Sequence, residues 1–405
     1  MLGAYAVVFA VAAGVCFLLT PLVWRLAARL GAVVPPDDRR VHLRPTPTLG
    51  GVAMLGGLLA ALGVAYQLPE LRPVFANSSE PLGVALAAVV ILAVGVLDDL
   101  REVSAPAKVA GQVLAGSVLG LAGVTMFYFR IPFGDFVVLS PDLSFLVTVV
   151  WVVALANAVN LIDGLDGLAA GVVAIAGAGF FVYANRLSDV GLLGPDNLAP
   201  LLMVITCGLC LGFLPHNFNP AKVFMGDGGS LLLGLLLASA TITVGGRTAD
   251  QFSGQTFFFF APLVIPFFIL GVPFLDVILA VVRRARRGVS FAEADKEHLH
   301  HRLMALGHGT RRSVVILWFW TALLSGVVLV ATFTNRGNSL APFVLAALAM
   351  GLYTWFHPGT RRAAREAAAS APPTTSNVRV LRPRGRYARD DGPRSRRAAP
   401  DQPRR

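Results

Sequence analysis

The stretch PLGVALAAVVILAVGVLDDLR, residues 81–101, decides the class of this protein. It places seventeen mostly apolar residues in a row, about enough to cross the hydrocarbon core of a bilayer as a helix. The run ends in the pair Asp98-Asp99. Carboxylates are costly at the edge of a membrane and are usually retained there for function. The stretch therefore predicts a membrane-spanning helix with functional aspartates at one end.

Runs of the same kind recur along the whole chain of 405 residues. Apolar residues make up 55% of the sequence and charged residues 14%, and the mean hydropathy is +0.68. The predicted spans are 2–24, 49–68, 81–97, 106–124, 143–158, 168–185, 198–214, 230–246, 255–282, 314–334 and 340–357. We therefore predict an all-α polytopic membrane protein with about 11 transmembrane helices, built as one membrane domain over residues 1–357.

The distribution of Lys and Arg predicts how the chain is oriented, because these residues concentrate on the cytoplasmic side of membrane proteins. An N-terminus outside the membrane puts 29 of the 34 Lys and Arg residues into the predicted cytoplasmic segments. Without the basic C-terminal segment, the predicted cytoplasmic segments still contain 16 Lys and Arg residues and the outside segments contain 5. The C-terminus and the loops at that end of the spans are therefore predicted to be cytoplasmic.

The net charge of +11 comes mostly from residues 358–405, which contain 13 Arg. This segment is rich in Pro, Ala and Ser and has few large apolar residues, so it is predicted to be a disordered cytoplasmic tail. Two interpretations are open: attraction to anionic membrane lipids, or a solubilising tail that sets orientation. Binding of nucleic acid is not expected, because no aromatic or folded module accompanies the arginines.

Four polar clusters interrupt the apolar runs, and all four fall in segments predicted to be cytoplasmic. They are Asp98-Asp99; Asn157, Asn160, Asp163 and Asp166; Phe224 to Asp227; and Glu297 to Arg302. Their convergence on one face predicts a membrane-bound active site. The alternatives are an ion-coupled secondary transporter and a structural membrane anchor. Transporters place polar groups near the middle of the bilayer, whereas the polar clusters of this chain lie at the ends of its spans. A structural anchor would not need four polar clusters.

The first cluster has residues suited to phosphate chemistry. Adjacent residues on a helix point about 100° apart, so Asp98 and Asp99 cannot have the same role. One can hold a metal or orient a substrate while the other acts as a base. Lys108 follows at the start of the next span and suits an anionic phosphate, and Gln112 is expected one turn further along the same aqueous rim.

The second and third clusters have the oxygen ligands that a hard cation prefers. Asn157, Asn160, Asp163 and Asp166 are three residues apart, so neighbouring members are predicted to share a helix face. Their amide and carboxylate oxygens also suit the polar edge of a nucleobase. Asp227, among three glycines at a helix start, can hold Mg²⁺ beside backbone N–H groups that attract phosphate. Phe224 presents a flat face for a base, or is an interfacial anchor.

The fourth cluster, HLHHRL at 298–303, lies in the most basic inner loop. His298, His300 and His301 could be zinc ligands, but a zinc site would need a cysteine or carboxylate at firmer spacing. A cationic lid for a sugar and its phosphates, made with Arg302, fits the loop better.

Five segments together resemble one family of enzymes. They are DDRRVHLRPTPTLGG (37–51), LDDLREVSAPAKVAGQ (97–112), NAVNLIDGLDGLAAG (157–171), NFNPAKVFMGDGGSLLLG (217–234) and HLHHRL (298–303). Their order is similar to that of the polyprenyl-phosphate N-acetylhexosamine-1-phosphate transferases, which are bacterial membrane enzymes. The HLHHRL form resembles the N-acetylglucosamine branch more than the branch that transfers phospho-N-acetylmuramoyl-pentapeptide.

The resemblance implies a UDP-linked amino sugar and a polyprenyl phosphate as substrates in the plasma membrane, with Mg²⁺ as cofactor and Mn²⁺ as a substitute. It implies that Asn160 and Asp227 hold the metal. Direct attack by the lipid phosphate and a covalent intermediate both remain open, and a homodimer is one candidate assembly.

The resemblance also assigns roles to the remaining site residues. By it, Asp98, Asp99 and Lys108 are catalytic, and Asp163, Asp166 and Phe224 line a uridine pocket. The remaining predicted substrate-binding residues are Asn157, His298, His300, His301 and Arg302, of which the last three contact sugar or diphosphate.

Overall fold

The computed structural model describes residues 1–35, 45–76, 78–101, 103–130, 136–245, 303–304, 306–334 and 337–356. These residues belong to one compact unit within Met1–Ala364. Its helices are α1 (Leu2–Arg29), α2 (Gly50–Gln67), α3 (Arg72–Phe75), α4 (Glu80–Arg101), α5 (Ala105–Leu121), α6 (Pro141–Ile162), α7 (Leu168–Asp189), α8 (Ala199–Asn217), α9 (Gly226–Gly245), α10 (Thr310–Phe333) and α11 (Ala341–Phe356).

Ten of the eleven predicted spans coincide with helices, so the polytopic helical architecture is confirmed. Eight described helices are long and apolar enough to cross a membrane. Helices α5 and α11 are shorter, at 17 and 16 residues. The predicted span 255–282 and the tail 358–405 lie outside the described residues, so the total of eleven spans and the limits of the two domains stay predictions.

Two short antiparallel strand pairs are an exception to the predicted all-α fold. Strands β1 (Val33–Val34) and β2 (Thr46–Pro47) pair with each other, as do β3 (Tyr128–Arg130) and β4 (Phe136–Val138). The sequence analysis missed them because two- and three-residue strands are too short to show an alternating pattern. Their residues are mostly β-branched or aromatic, which suits short extended pairs between helices.

Helix α9 is the most deeply buried of the helices, and it packs on α2, α4, α6 and α8. Its first turn approaches two neighbours at the backbone. A Cβ at Gly51 on α2 would lie 2.6 Å from the Cα of Gly229, and a Cβ at Gly95 on α4 would lie 2.6 Å from the carbonyl carbon of Asp227. Small residues permit such close contacts between membrane helices. The glycines therefore allow the start of α9 to lie between α2 and α4.

Helix α1 packs on α8 and carries a proline in its interior. Pro21 has no N–H, so the carbonyl of Phe17, four residues earlier, lacks its usual helical donor. His216 on α8 lies with Nε2 3.2 Å from that oxygen, and its ring packs on the ring of Phe17. In the tautomer with a proton on Nε2, His216 donates to the Phe17 carbonyl and joins the two helices.

Candidate active site

The ammonium group of Lys108 lies at the centre of a polar cluster formed by four helices. It is 3.0 Å from Asp98 Oδ2 on α4 and forms an ion pair with Asp227 on α9. Asn160 on α6 completes the cluster. In the amide orientation that satisfies all its neighbours, its Oδ1 lies 3.1 Å from Lys108 Nζ and its Nδ2 lies 3.1 Å from Asp227 Oδ1. Residues from three predicted clusters therefore meet at one end of the bundle.

The two adjacent aspartates point to different partners, as their helical spacing predicts. Asp98 accepts a hydrogen bond from the Val103 N–H at 2.7 Å, in addition to its contact with Lys108. Asp99 Oδ1 accepts from the N–H of Asp227 at 3.1 Å. Its other oxygen, Oδ2, is buried and has no hydrogen-bond partner among the described residues. Asp99 therefore supports the first turn of α9 through one carboxylate oxygen, and the other oxygen is buried near Gly226.

A left-handed glycine begins α9. Gly226 has a φ of +70°, a conformation that side chains rarely tolerate. A Cβ there would also lie 2.5 Å from Thr48 Oγ1 and would collide with the carboxylate of Asp99. Gly226 therefore permits both the turn into α9 and the close approach of α9 to Asp99.

The loop 218–225, which joins α8 to α9, is held by hydrogen bonds from several elements. Asn217 is buried and accepts from the Gly167 N–H at 3.0 Å while it donates to the Val223 carbonyl at 3.0 Å. Asp166 Oδ2 accepts from Asn219 Nδ2 at 2.8 Å and from the Ala221 N–H at 3.0 Å. These bonds join the loop to the turn that follows α6.

The same loop is tied to α2 and α10. The N–H of Phe224 donates to the Pro47 carbonyl at 2.9 Å, and the N–H of Gly50 donates to the Phe224 carbonyl at 3.0 Å. Arg311 Nε at the start of α10 donates to the Asn219 carbonyl at 2.9 Å. The backbone that carries Phe224 and Asp227 is therefore fixed on both sides before any substrate binds.

Asp163 follows directly after the last residue of α6, and its electrostatic surroundings are unfavourable for a charge. The side chain retains some exposure, yet protein atoms surround the carboxyl, and this desolvation is the main cause that raises its pKa to about 8. The charges of Asp227, Asp99 and Asp166 raise the pKa further. Without a cation, the site therefore favours a proton on Asp163 at neutral pH.

Replacing Asp163 with Asn is expected to change how stability depends on pH. Between the ordinary carboxyl pKa and about 8, the folded protein binds one more proton at Asp163 than the unfolded chain does. Stability of the wild type therefore falls as pH rises through this range, relative to that of Asp163→Asn. Thermal unfolding in detergent without Mg²⁺ from pH 5 to pH 8.5 measures this difference. A difference that stays constant with pH would contradict the raised pKa.

The comparisons with known proteins identify the family of this chain. The family model for glycosyl transferase family 4 matches residues 81–245. A decaprenyl-phosphate N-acetylglucosaminephosphotransferase from Mycobacterium tuberculosis is 40% identical over 359 residues, covering 86% of this chain and 88% of the relative. The chain belongs to glycosyl transferase family 4. The matched range of the family model contains the whole cluster around Lys108.

Two further relatives show the breadth of the family. A protein from Bacillus subtilis, described as a probable undecaprenyl-phosphate N-acetylglucosaminyl 1-phosphate transferase, is 35% identical over 77% of this chain and 80% of its own length. A phospho-N-acetylmuramoyl-pentapeptide-transferase from Desulforudis audaxviator is 36% identical over 79% of this chain and 96% of its own length. The relatives of this chain therefore carry two different named activities.

In this family member, the predicted row of four polar residues does not lie on a single helix. Helix α6 ends at Ile162, so helical spacing holds for Asn157 and Asn160 only, while Asp163 and Asp166 lie on the following turn. Asn157 is turned toward Gln112 and donates to its Oε1 at 2.6 Å. Gln112 is fully buried, so its predicted place at an aqueous rim is wrong. The amide pair satisfies the buried Gln112 side chain through the half-buried Asn157.

Several residues that shape the site were missed by the sequence analysis. Asn217, Asn219 and Arg311 hold the loop 218–225, and Ser230 lies 2.7 Å from the amide nitrogen of Asn160. Asn217 could have been selected from the sequence, because it is a polar amide directly after an apolar run. The predicted residues His298, His300, His301 and Arg302 lie outside the described residues, so their roles stay predictions.

Proposed function

We propose that this protein transfers N-acetylglucosamine-1-phosphate from a UDP-linked sugar to polyprenyl phosphate. One observation carries the proposal: Asp98, Lys108, Asn160 and Asp227, far apart along the chain, meet at one end of an apolar helical bundle in a member of glycosyl transferase family 4. A phosphorylated lipid can reach such a site from the bilayer, and a nucleotide sugar can reach it from water.

The reaction exchanges one phosphoanhydride bond for another. An oxygen of the lipid phosphate attacks the phosphorus that bears the sugar, and the bond from this phosphorus to the bridging oxygen breaks. UMP leaves with that oxygen and its electron pair, and polyprenyl-diphosphate-N-acetylglucosamine is the product. The incoming and leaving groups are both anionic, so the protein must mainly neutralise charge and align the reactants.

The side chains in the cluster suit this task. Lys108 supplies a positive charge where the diphosphate would lie, and its two carboxylate partners hold it in place. The second pKa of a phosphate ester is near 6, so the lipid phosphate is already largely ionised at neutral pH. A strong base is therefore unnecessary, and Asp98 or Asp99 can orient the nucleophile or accept its remaining proton.

We propose Mg²⁺ as the cofactor, with Mn²⁺ as a substitute. The residues fit a magnesium ion, because Asp227 and Asn160 offer side-chain oxygens and the buried Asp99 Oδ2 has no described hydrogen-bond partner. Within the described residues, no group of three His, Cys, Asp or Glu side chains is arranged to hold a metal. This suits Mg²⁺, which commonly takes one or two protein oxygens together with substrate phosphates. The bound ion would supply positive charge to the diphosphate.

The site is proposed to open to the cytoplasm of a multi-pass plasma-membrane protein. The loops at this end of the bundle belong to the segments that carry most of the Lys and Arg residues. A single cysteine introduced at exposed Lys222 would be labelled by an impermeant thiol reagent in inside-out vesicles and protected in intact cells. The opposite pattern would reverse the proposed orientation.

The decisive experiment is a panel of donors with the purified protein, a polyprenyl phosphate and Mg²⁺. We expect UMP release from UDP-N-acetylglucosamine and a lipid product whose mass equals polyprenyl diphosphate plus N-acetylhexosamine. UDP-N-acetylmuramoyl-pentapeptide belongs in the panel because a relative transfers that group. Turnover of this donor alone would replace the proposed sugar, and no UMP from any donor would favour a transporter or anchor.

A further inference from the structure

Gln112 and Asn157 join α5 to α6 through both ends of their amide groups. Asn157 Nδ2 donates to Gln112 Oε1 at 2.6 Å, and Gln112 Nε2 lies 3.3 Å from Asn157 Oδ1. Asn157 Nδ2 also donates to the Val153 carbonyl at 2.7 Å. Gln112 is fully buried, so it would lose its hydrogen bonds without replacement if its partner amide were removed.

The amide pair lies one helical turn from the residues that meet at the centre of the site. Gln112 follows Lys108 by four residues on α5, and Asn157 precedes Asn160 by three residues on α6. Lys108 and Asn160 contact each other at 3.1 Å. The same two helices are therefore linked twice in succession. One link is the Gln112–Asn157 amide pair, and the other is the contact between Lys108 and Asn160.

Helix α5 needs such a link because, among the residues that the structure describes, it has few neighbouring helices. It packs mainly on α4 and α6, and its outer side chains Val109, Val113 and Leu114 are exposed. Contacts between apolar side chains are non-directional and permit small shifts of one helix along another. Paired amides restrict these shifts, because both hydrogen bonds are lost when the helices move by about 1 Å.

We infer that the pair Gln112–Asn157 positions Lys108 for the reaction by setting how α5 lies against α6. Gln112 is a positioning residue, because its burial separates it from the substrates. The inferred role of Asn157 differs from direct substrate binding, since its amide is used by Gln112 and Val153. The expected effect on reaction rate rests on the proposed function. The position of Lys108 can be measured without any turnover.

Chemical labelling of lysines measures the surroundings of Lys108 directly. The chain has three lysines, at 108, 222 and 296, and exposed Lys222 is an internal reference. In Gln112→Met, labelling of Lys108 relative to Lys222 by an amine-reactive ester is expected to rise roughly fivefold, as its contacts loosen. Exchanging the two side chains, as Gln112→Asn with Asn157→Gln, should restore the ratio. Val113→Met, on the exposed face of α5, is the matched control and should leave it unchanged.

The kinetic test asks whether Gln112 acts through Lys108. We expect Gln112→Met to lower kcat about tenfold with little change in KM for UDP-N-acetylglucosamine, because misplaced catalytic groups lose rate more than binding. In a Lys108→Met background the same change should have little further effect on residual turnover. Equal losses in both backgrounds would show a general structural role and overturn the inference.

The labelling and turnover experiments test the positioning role of Gln112 and the proposed function separately. An unchanged labelling ratio in Gln112→Met would overturn the positioning role. If that variant does not fold, Asn157→Ala removes the partner amide from the other helix, and the same rise in labelling is expected. A wild-type protein that releases no UMP would contradict the proposed function, and the labelling ratio would still decide whether the amide pair holds Lys108.

Discussion

Replacing Asp227 with Asn is expected to reduce UMP release by roughly 100-fold or more, as is typical when one electrostatic contributor to phosphoryl transfer is removed. The carboxylate forms an ion pair with Lys108 and lies beside the Asn160 amide, at the proposed metal position. An amide has nearly the same shape but no charge, so the change removes the negative charge of the proposed metal ligand while it preserves packing. Initial rates measured over a range of Mg²⁺ concentrations would show the loss.

The control for this variant is Asp142→Asn. Asp142 is exposed in the first turn of α6, far along the helix from Asn160, and it should tolerate the same loss of charge. Partial recovery of Asp227→Asn at high Mg²⁺ would support a role in metal binding. A rate close to that of the wild type at ordinary Mg²⁺ would remove Asp227 from the proposed centre.

Replacing Gly51 with Ala is expected to abolish most activity although Gly51 contacts no substrate in the proposed reaction. The added Cβ would lie 2.6 Å from the Cα of Gly229 and 2.7 Å from the carbonyl carbon of Gly228. These are backbone atoms, so α2 and α9 must separate to relieve the collision. A displacement of about 1 Å at Asp227 can lower the rate by roughly 100-fold. UMP release and thermal stability in detergent are the measurements.

The chain offers a matched control on the same helix. A Cβ at Gly63 of α2 would meet no heavy atom within 4 Å. Gly63→Ala should therefore keep full activity, with stability unchanged or raised by up to about 1 kcal/mol, because Ala favours a helix over Gly. If Gly51→Ala and Gly63→Ala behave alike, close packing at the start of α9 does not support the site.

The helices and the polar cluster were predictable because their signals are local. An apolar run of sufficient length identifies a membrane helix without knowledge of its neighbours, and a polar group at its end stands out. Asp98, Lys108 and Asp227 could therefore be selected from the sequence. The family resemblance added Asn160 as a metal ligand, and the structure brings its amide beside Lys108 and Asp227.

The partners within the site were less predictable because they are distant in sequence. Gln112 and Asn157 are 45 residues apart, and the spacing of Asn157 with Asn160 suggested that both face a substrate. Only the packing of α5 on α6 shows that Asn157 is used by another amide. Similarly, the three-residue spacing predicted that Asp166 shares a helix face with Asp163, but α6 ends at Ile162 and Asp166 bonds to the loop 218–225.

The central position of α9 has a consequence for how the protein is made. Ribosomes deliver α1 to α8 to the membrane before α9, so these helices insert before the helix that packs against both α2 and α4. The glycine backbones at Gly51 and Gly95 then receive the first turn of α9 directly. Asp227 arrives with this helix, so a nascent chain acquires its complete charge cluster only after the ninth helix has taken its place.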